Sequence, residues 1–400
     1  MKKILRYIAV ILVVIMSGAN TVLNVYILDK NQQIFFLAYS LLFYFIMKGY
    51  ASKKSWLTLI GICFWIFFNQ NLIQGDGFDN NYLTYIMDYI ATFFIVSSFD
   101  FENFRKKLLV VIQILATVSI IAHELYWLQI IPGVYHEGDA ISFTLAWNFF
   151  NVEWGENRLA SIFWEPGQFQ IILNFVFVLC SKDVVNLVRK QRYGRLVIRY
   201  GILLLALILT KSTTGYISFA IYCAFIMLNL INKKHIIIGL VGSALVIIGI
   251  STLLQSDTVQ KKFESGNISY LTRMADNLGL LYMIQTRPIV GYGIQTRKYV
   301  NTALSTNNLT SSNGWLNAGA QLGVPFLLVL IFLIGKGVYR LRDDKLFLVL
   351  FLVVFIAQAN EAKYFLPFLT LFIFPFKDQI RITRNTIKNK KITNNEGKIS

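Results

Sequence analysis

Apolar positions along this chain come in long unbroken runs rather than in stripes that alternate with polar ones. Runs of about 18–25 residues recur from end to end, each long enough to cross ~30 Å of hydrocarbon. They predict about twelve spanning helices, at roughly 4–28, 33–50, 55–73, 82–98, 107–131, 166–181, 196–210, 214–232, 235–254, 317–339, 345–358 and 362–377. The first run is too long for a signal-peptide core and lacks a small-residue cleavage pattern, so it is expected to stay as a helix. The pattern is that of an all-α polytopic membrane protein, with residues 1–377 as one membrane domain.

The polar segments between the runs alternate in charge. Lys2, Lys3 and Arg6 lie at the start of the chain, and Lys48, Lys53 and Lys54 follow the second run. Arg105, Lys106 and Lys107 follow the fourth, and Lys182, Arg189, Lys190, Arg192 and Arg195 the sixth. Lys233 and Lys234 follow the eighth; Arg340, Arg342 and Lys345 follow the tenth. In a twelve-span arrangement with both termini inside, all of these fall on the cytoplasmic side, where Lys and Arg are expected. The segment 378–400 is basic, polar and without apolar periodicity. It is expected to be a disordered cytoplasmic tail held near anionic lipid.

Composition agrees. The 400 residues are 56% hydrophobic and 15% charged, against about 25% charged for a soluble domain. The net charge of +17 is concentrated in the cytoplasmic loops, so it indicates membrane lipid rather than nucleic acid. Cys63, Cys180 and Cys223 lie in apolar runs, and His123, His136 and His235 are scattered. Neither set has metal-ligand spacing, and there is no glycine-rich phosphate loop. No cofactor and no metal are expected.

Two connections are long, about 132–165 and 255–316, and both fall outside. Long connections in compact proteins tend to carry function, so any chemistry is expected to be extracytoplasmic. The first is rich in aromatics and acids, which suit sugar faces and hydroxyls; an interfacial aromatic belt is the structural alternative. It ends in "NRLASIFWEPGQFQ". Pro166 suits the first position of a helix, which puts Glu165 at the cap. With Arg158 folded back beside it, this helix end would suit a phosphate; Glu165 as a simple cap is the alternative. The second connection carries Arg273 and Arg287, then the turn residues Pro288, Gly291 and Gly293. Ser312 is the expected N-cap of the next helix, with Asn313 in its first turn. Lys211, in the short connection "LTKSTTGY", sits at the outer surface or dips into a cavity. Asp88, His123 and Glu124 are further ionisable groups within spans, which are functional candidates by default.

Four stretches taken together, "RLASIFWEPGQF", "LTKSTTGYISFAIY", "RMADNLGLLYMIQTRPIVGYG" and "SSNGWLNAGAQLGV", resemble the polysaccharide polymerases and O-antigen ligases of bacterial envelopes, over about Arg158 to Lys336. The resemblance implies a many-helix fold like that of lipid-dependent glycosyltransferases (GT-C-like). It implies an enzyme of the cytoplasmic membrane, acting at the outer face on undecaprenyl-pyrophosphate-linked oligosaccharides. Arg158, Arg273 and Arg287 match the arginines that hold the pyrophosphate. Ligases have a histidine where this chain has Ser311, Ser312 and Asn313, which favours a polymerase. Glu165 is the first choice of base and His136 the second. Arg158, Glu165 and Arg287 are thus the candidate catalytic residues; Arg273, Lys211, His136, Trp164, Tyr292 and Asn313 are the candidate substrate contacts. A chain-length regulator and a flippase are candidate partners. A ligase with another acceptor is the nearest alternative. A flippase suits twelve spans, but the chain shows no half-to-half repeat. A non-catalytic scaffold has little need for arginines at outer helix ends.

Overall fold

The computed structural model describes residues 1–18, 31–75, 81–131, 134–135, 141–143, 149–151, 158–163, 165–230, 268–305, 313–341, 344–359, 364 and 366–380. Among these the chain is almost entirely helical. In order, α1 is Lys2–Met16, α2 Gln32–Ile46, α3 Lys53–Phe68, α4 Asn81–Val96 and α5 Phe101–Trp127. Then come α6 Pro166–Leu179, α7 Ser181–Arg189, α8 Tyr193–Leu209, α9 Thr213–Leu230, α10 Ile268–Thr286 and α11 Arg297–Ser305. The last are α12 Gly314–Leu322, α13 Val324–Leu341, α14 Phe347–Gln358 and α15 Pro367–Thr370.

Among the described residues, three helical stretches are long and apolar enough to cross a membrane: Lys53–Gln74, Phe101–Trp127 and Val324–Leu341. The pair α6–α7 also qualifies as one span, bent by 58°. Large apolar side chains such as Phe45, Leu57, Phe64 and Phe332 point outward from these and shorter apolar helices. An exterior of this kind suits lipid, where outward apolar surface carries no penalty. The chain is a multi-pass membrane protein.

The structure departs from the twelve-run reading in four places. The segment 362–377 is not a spanning helix in its described part. It holds the four-residue α15 and turns, and Tyr364, Phe368, Leu369, Phe372 and Phe374 are buried in protein. The run 317–339 is broken, because Gly323 adopts φ +87° between α12 and α13. The connection 132–165 carries a small antiparallel sheet of Val134–Tyr135, Ile141–Phe143 and Phe149–Asn151, so the fold is not purely α. In its described part, the connection 255–316 carries the helices α10 and α11. The run 235–254 and the tail beyond 380 lie outside the described residues.

Local sequence explains the ends that matter for the site. Ser52 caps α3 by accepting from Ser55 N. Continuing α3, residues Asn69–Gln74 wind as a π-helix that stops at Gly75, φ +67°. Pro166 opens α6 as its sequence position predicts. The helices interlock through α14. On one side Trp315 of α12 stacks on Phe355 at 4.9 Å and donates its indole N–H to the Phe355 carbonyl. On the other, Gln170 of α6 donates to the Ala357 carbonyl, and Asn174 of α6 donates to Gly215 of α9.

Candidate functional site

The stretch "TRPIVGYG" is a turn from α10 toward α11, and its backbone is fastened on two sides. Toward the α12–α13 break, Tyr292 N donates to the Ala320 carbonyl (2.9 Å), Gly293 N to Gln321 (2.8 Å), and Val324 N to Pro288 (2.7 Å). Toward the π-helix, Asn69 donates to the Val290 carbonyl (2.6 Å) and Gln74 to that of Gly291 (3.2 Å). Gln70 both accepts from Ile294 N (2.9 Å) and donates to its carbonyl (3.4 Å). Glycine is required here: Gly291 has φ +64°, and a Cβ on it would press on the backbone of Ala320 and Gln321.

The turn presents Arg287. Its guanidinium lies 4.9 Å over the Tyr292 ring and Nη1 donates to Gln74 Oε1 at 3.3 Å. Tyr292 is itself fixed by a 2.8 Å hydroxyl bond with Thr286. Nearby, Lys298 Nζ donates to the Gln74 carbonyl at 2.9 Å. Among the described residues neither Arg287 nor Lys298 has a carboxylate within ion-pair range. Two cations with neutral partners make a local positive potential suited to an anion. Arg273 does not join them. It lies exposed on α10, with ~20 Å of helix rise between it and Arg287, too far for both to hold one diphosphate.

A second group surrounds Arg158. Leu159 N donates to the Leu209 carbonyl (2.9 Å), and Arg158 Nε to that of Thr210 (3.1 Å). The arginine therefore sits at the C-terminal end of α8, where unpaired carbonyls favour a cation. Lys211 follows directly at φ +46°, and Tyr216 donates to the Ile208 carbonyl at 2.6 Å. The segment 158–163 is held from behind by the Ser119–Ser161 hydroxyl bond (2.7 Å) and by Phe163 stacked on Phe169. Glu165 occupies the N-cap position of α6, yet its side chain makes no cap hydrogen bond. Its pairing is not with Arg158, whose Nε is turned to the Thr210 carbonyl. The simple-cap alternative for Glu165 therefore lacks its bond.

Asn313, not Ser312, caps α12. Its Oδ1 accepts from Trp315 N (3.1 Å) and Leu316 N (3.3 Å). The polar atom expected to face a substrate is engaged with its own helix. His136, Trp164 and Ser312 lie outside the described residues. Asp88 and His123 are buried in α4 and α5, and His123 lies 3.3 Å from Glu124. Residues that sequence reasoning missed are Gln74 and Lys298, 213 and 11 positions from Arg287. No local pattern signals either.

Residues 200–332 match the family model described as O-Antigen ligase. Over that third of the chain, the match supports a likeness to the O-antigen ligase/polymerase superfamily. It spans Lys211, Arg273, Arg287, Tyr292 and Asn313, while Arg158, Glu165 and Gln74 precede it. No curated protein and no solved structure matches the chain.

Proposed function

We propose that this protein is a polymerase that joins undecaprenyl-pyrophosphate-linked oligosaccharide repeats into capsular, exopolysaccharide or O-antigen chains. The observation that carries the reading is Arg287, held over Tyr292 and fastened to Gln74, with no acid among the described residues upon it, inside the family-matched region. In this reading the acceptor hydroxyl attacks the anomeric carbon of the donor. The bond from that carbon to the phosphate oxygen breaks, and the diphosphate leaves with the electron pair. A diphosphate is already a good leaving group, so what the protein adds is charge stabilisation. Arg287 supplies it from the turn, and Arg158 from the end of α8. Glu165, with no cap bond to hold it, takes the acceptor proton. Arg273 meets the bound substrate away from the diphosphate; Tyr292 and Trp164 offer faces to sugars. The reaction runs at the outer face of the cytoplasmic membrane, with both termini inside and a GT-C-like arrangement of spans. The flippase and the chain-length regulator are neighbours in the process.

A ligase is the second reading, favoured by the printed description of the family model. The polymerase is preferred because the residues before α12 are Ser311, Ser312 and Asn313 rather than histidine, and Asn313 serves as a cap. The test is to incubate purified protein with a lipid-linked repeat unit from its host, in EDTA. A ladder of repeat multiples is expected. Transfer only after a second acceptor is added would move the function to a ligase, and passage of the lipid across vesicles without a ladder would make it a transporter.

A further inference from the structure

The π-helix at the end of α3 turns three polar side chains, Asn69, Gln70 and Gln74, into the protein, all of them buried. Its i→i+5 winding brings positions 69 and 74 onto one face, and Gln74 Nε2 indeed reaches Asn69 Oδ1 at 3.4 Å. All three fasten the "TRPIVGYG" turn, but Gln74 does more. Its Nε2 donates to the Gly291 carbonyl, which fixes the amide orientation and leaves Oε1 to accept from Arg287. Its own carbonyl, one of the unpaired acceptors at a helix end, takes Lys298 Nζ.

Lys298 also stands in an electrostatically poor place. It follows Arg297 in the first turn of α11, where the helix dipole disfavours cations and favours anions. The α11 dipole does not compensate it, nor does any carboxylate among the described residues; its one favourable partner is the Gln74 carbonyl at the end of the π-helix. An anion lying between Lys298 and Arg287 would compensate both. The two cations differ in a useful way: the guanidinium is a planar fork, the ammonium a compact point charge.

We propose that Lys298 is the second cation of the lipid-diphosphate site, matching one phosphate while Arg287 matches the other, and that Gln74 is the positioning residue that sets their spacing. This rests on the polymerase reading above and names how its donor is held. The full-length protein in lipid nanodiscs would be titrated with undecaprenyl diphosphate and, separately, undecaprenyl monophosphate. The native chain is expected to prefer the diphosphate. Lys298→Ala should weaken diphosphate binding about tenfold, the scale of one charged hydrogen bond, and barely change the monophosphate. Lys298→Arg should restore the preference. Gln74→Leu should weaken both lipids, because Arg287 is no longer aimed. If the native chain prefers the diphosphate and Lys298→Ala keeps that preference undiminished, the second-cation assignment is overturned while the function stands. If the native chain binds neither lipid, both fall. Lys298 is exposed, so its variants test the idea even where Gln74→Leu fails to fold.

Discussion

Two places in this molecule gather basic side chains onto a single residue, and they do so with opposite electrostatics. At the junction of α5, α7 and α8, Asp183 Oδ2 accepts from Arg199 (3.0 Å) and from the Tyr200 hydroxyl (2.8 Å), with Arg105 at 3.8 Å. Arg105 also pairs with Glu102 at 2.8 Å. At the other place, Arg287 and Lys298 converge on Gln74, which has no charge to give them. Carboxylates close the first cluster electrically. A neutral amide and a carbonyl hold the second in shape and leave its charge unmet. The first arrangement closes on itself; on the reading proposed above, the second offers its charge to an anion.

The sharpest way to break the comparison is Arg287→Ala. Loss of a preorganised charge partner should lower the rate of glycosyl transfer about 10²–10³-fold, with little change in thermal unfolding. A large fall in unfolding temperature with proportionate loss of rate would put Arg287 in the same structural class as Arg105. Next in size is Glu165→Gln. If Glu165 takes the acceptor proton, single-turnover transfer should slow by about 10² or more while donor binding stays intact. An undiminished rate would make Glu165 only the residue that precedes Pro166.

Asp183→Ala should do the reverse of Arg287→Ala. Removing the carboxylate takes the acceptor from Arg199 and the Tyr200 hydroxyl, and leaves Arg105, whose side chain is 11% exposed, to Glu102 alone. The loss should be about 2–3 kcal/mol of stability, read by thermal unfolding in detergent. Ladder length and rate per folded molecule should not move. If transfer fell in the folded fraction, the α5–α7–α8 junction would communicate with the outer site, and the division between the two clusters would be too simple.

How far sequence reached follows the same division between local and distant causes. Pro166 at the start of α6 and the turn glycines Gly291 and Gly293 were legible, because a ring or a missing Cβ fixes the backbone by itself. The break at Gly323 was hidden, since apolar residues continue on both sides and the glycine is demanded by its φ of +87° and by the Ile289 backbone packed against it. The π-helix was hidden too: "NQNLIQ" extends an apolar run and has no marker of its winding. Arg287 was legible as a cation in a turn. Its aim was not, because it depends on Gln74, brought beside it only by the fold. Arg273 was grouped with Arg287 by the family resemblance, and helix rise separates them.

Asn313 gives the smallest effect and the finest test of how charge and polarity are divided. Sequence placed it among the substrate contacts, whereas its Oδ1 spans two backbone N–H groups of α12. Loss of such a cap costs ~1 kcal/mol. Asn313→Ala should therefore lower the unfolding temperature slightly and leave donor affinity and transfer near the native level. Asn313→Asp should restore the cap and most of the stability. α12 carries the Ala320 and Gln321 carbonyls that hold the turn of Arg287, so a frayed cap reaches the site only through that backbone. A small, equal fall in rate for Asn313→Ala, recovered by Asn313→Asp, is the signature of that indirect route. If Asn313→Asp instead kept stability but lost transfer, the side-chain amide would be touching substrate, and the neutral residues around the cationic turn would be doing more than holding it in place.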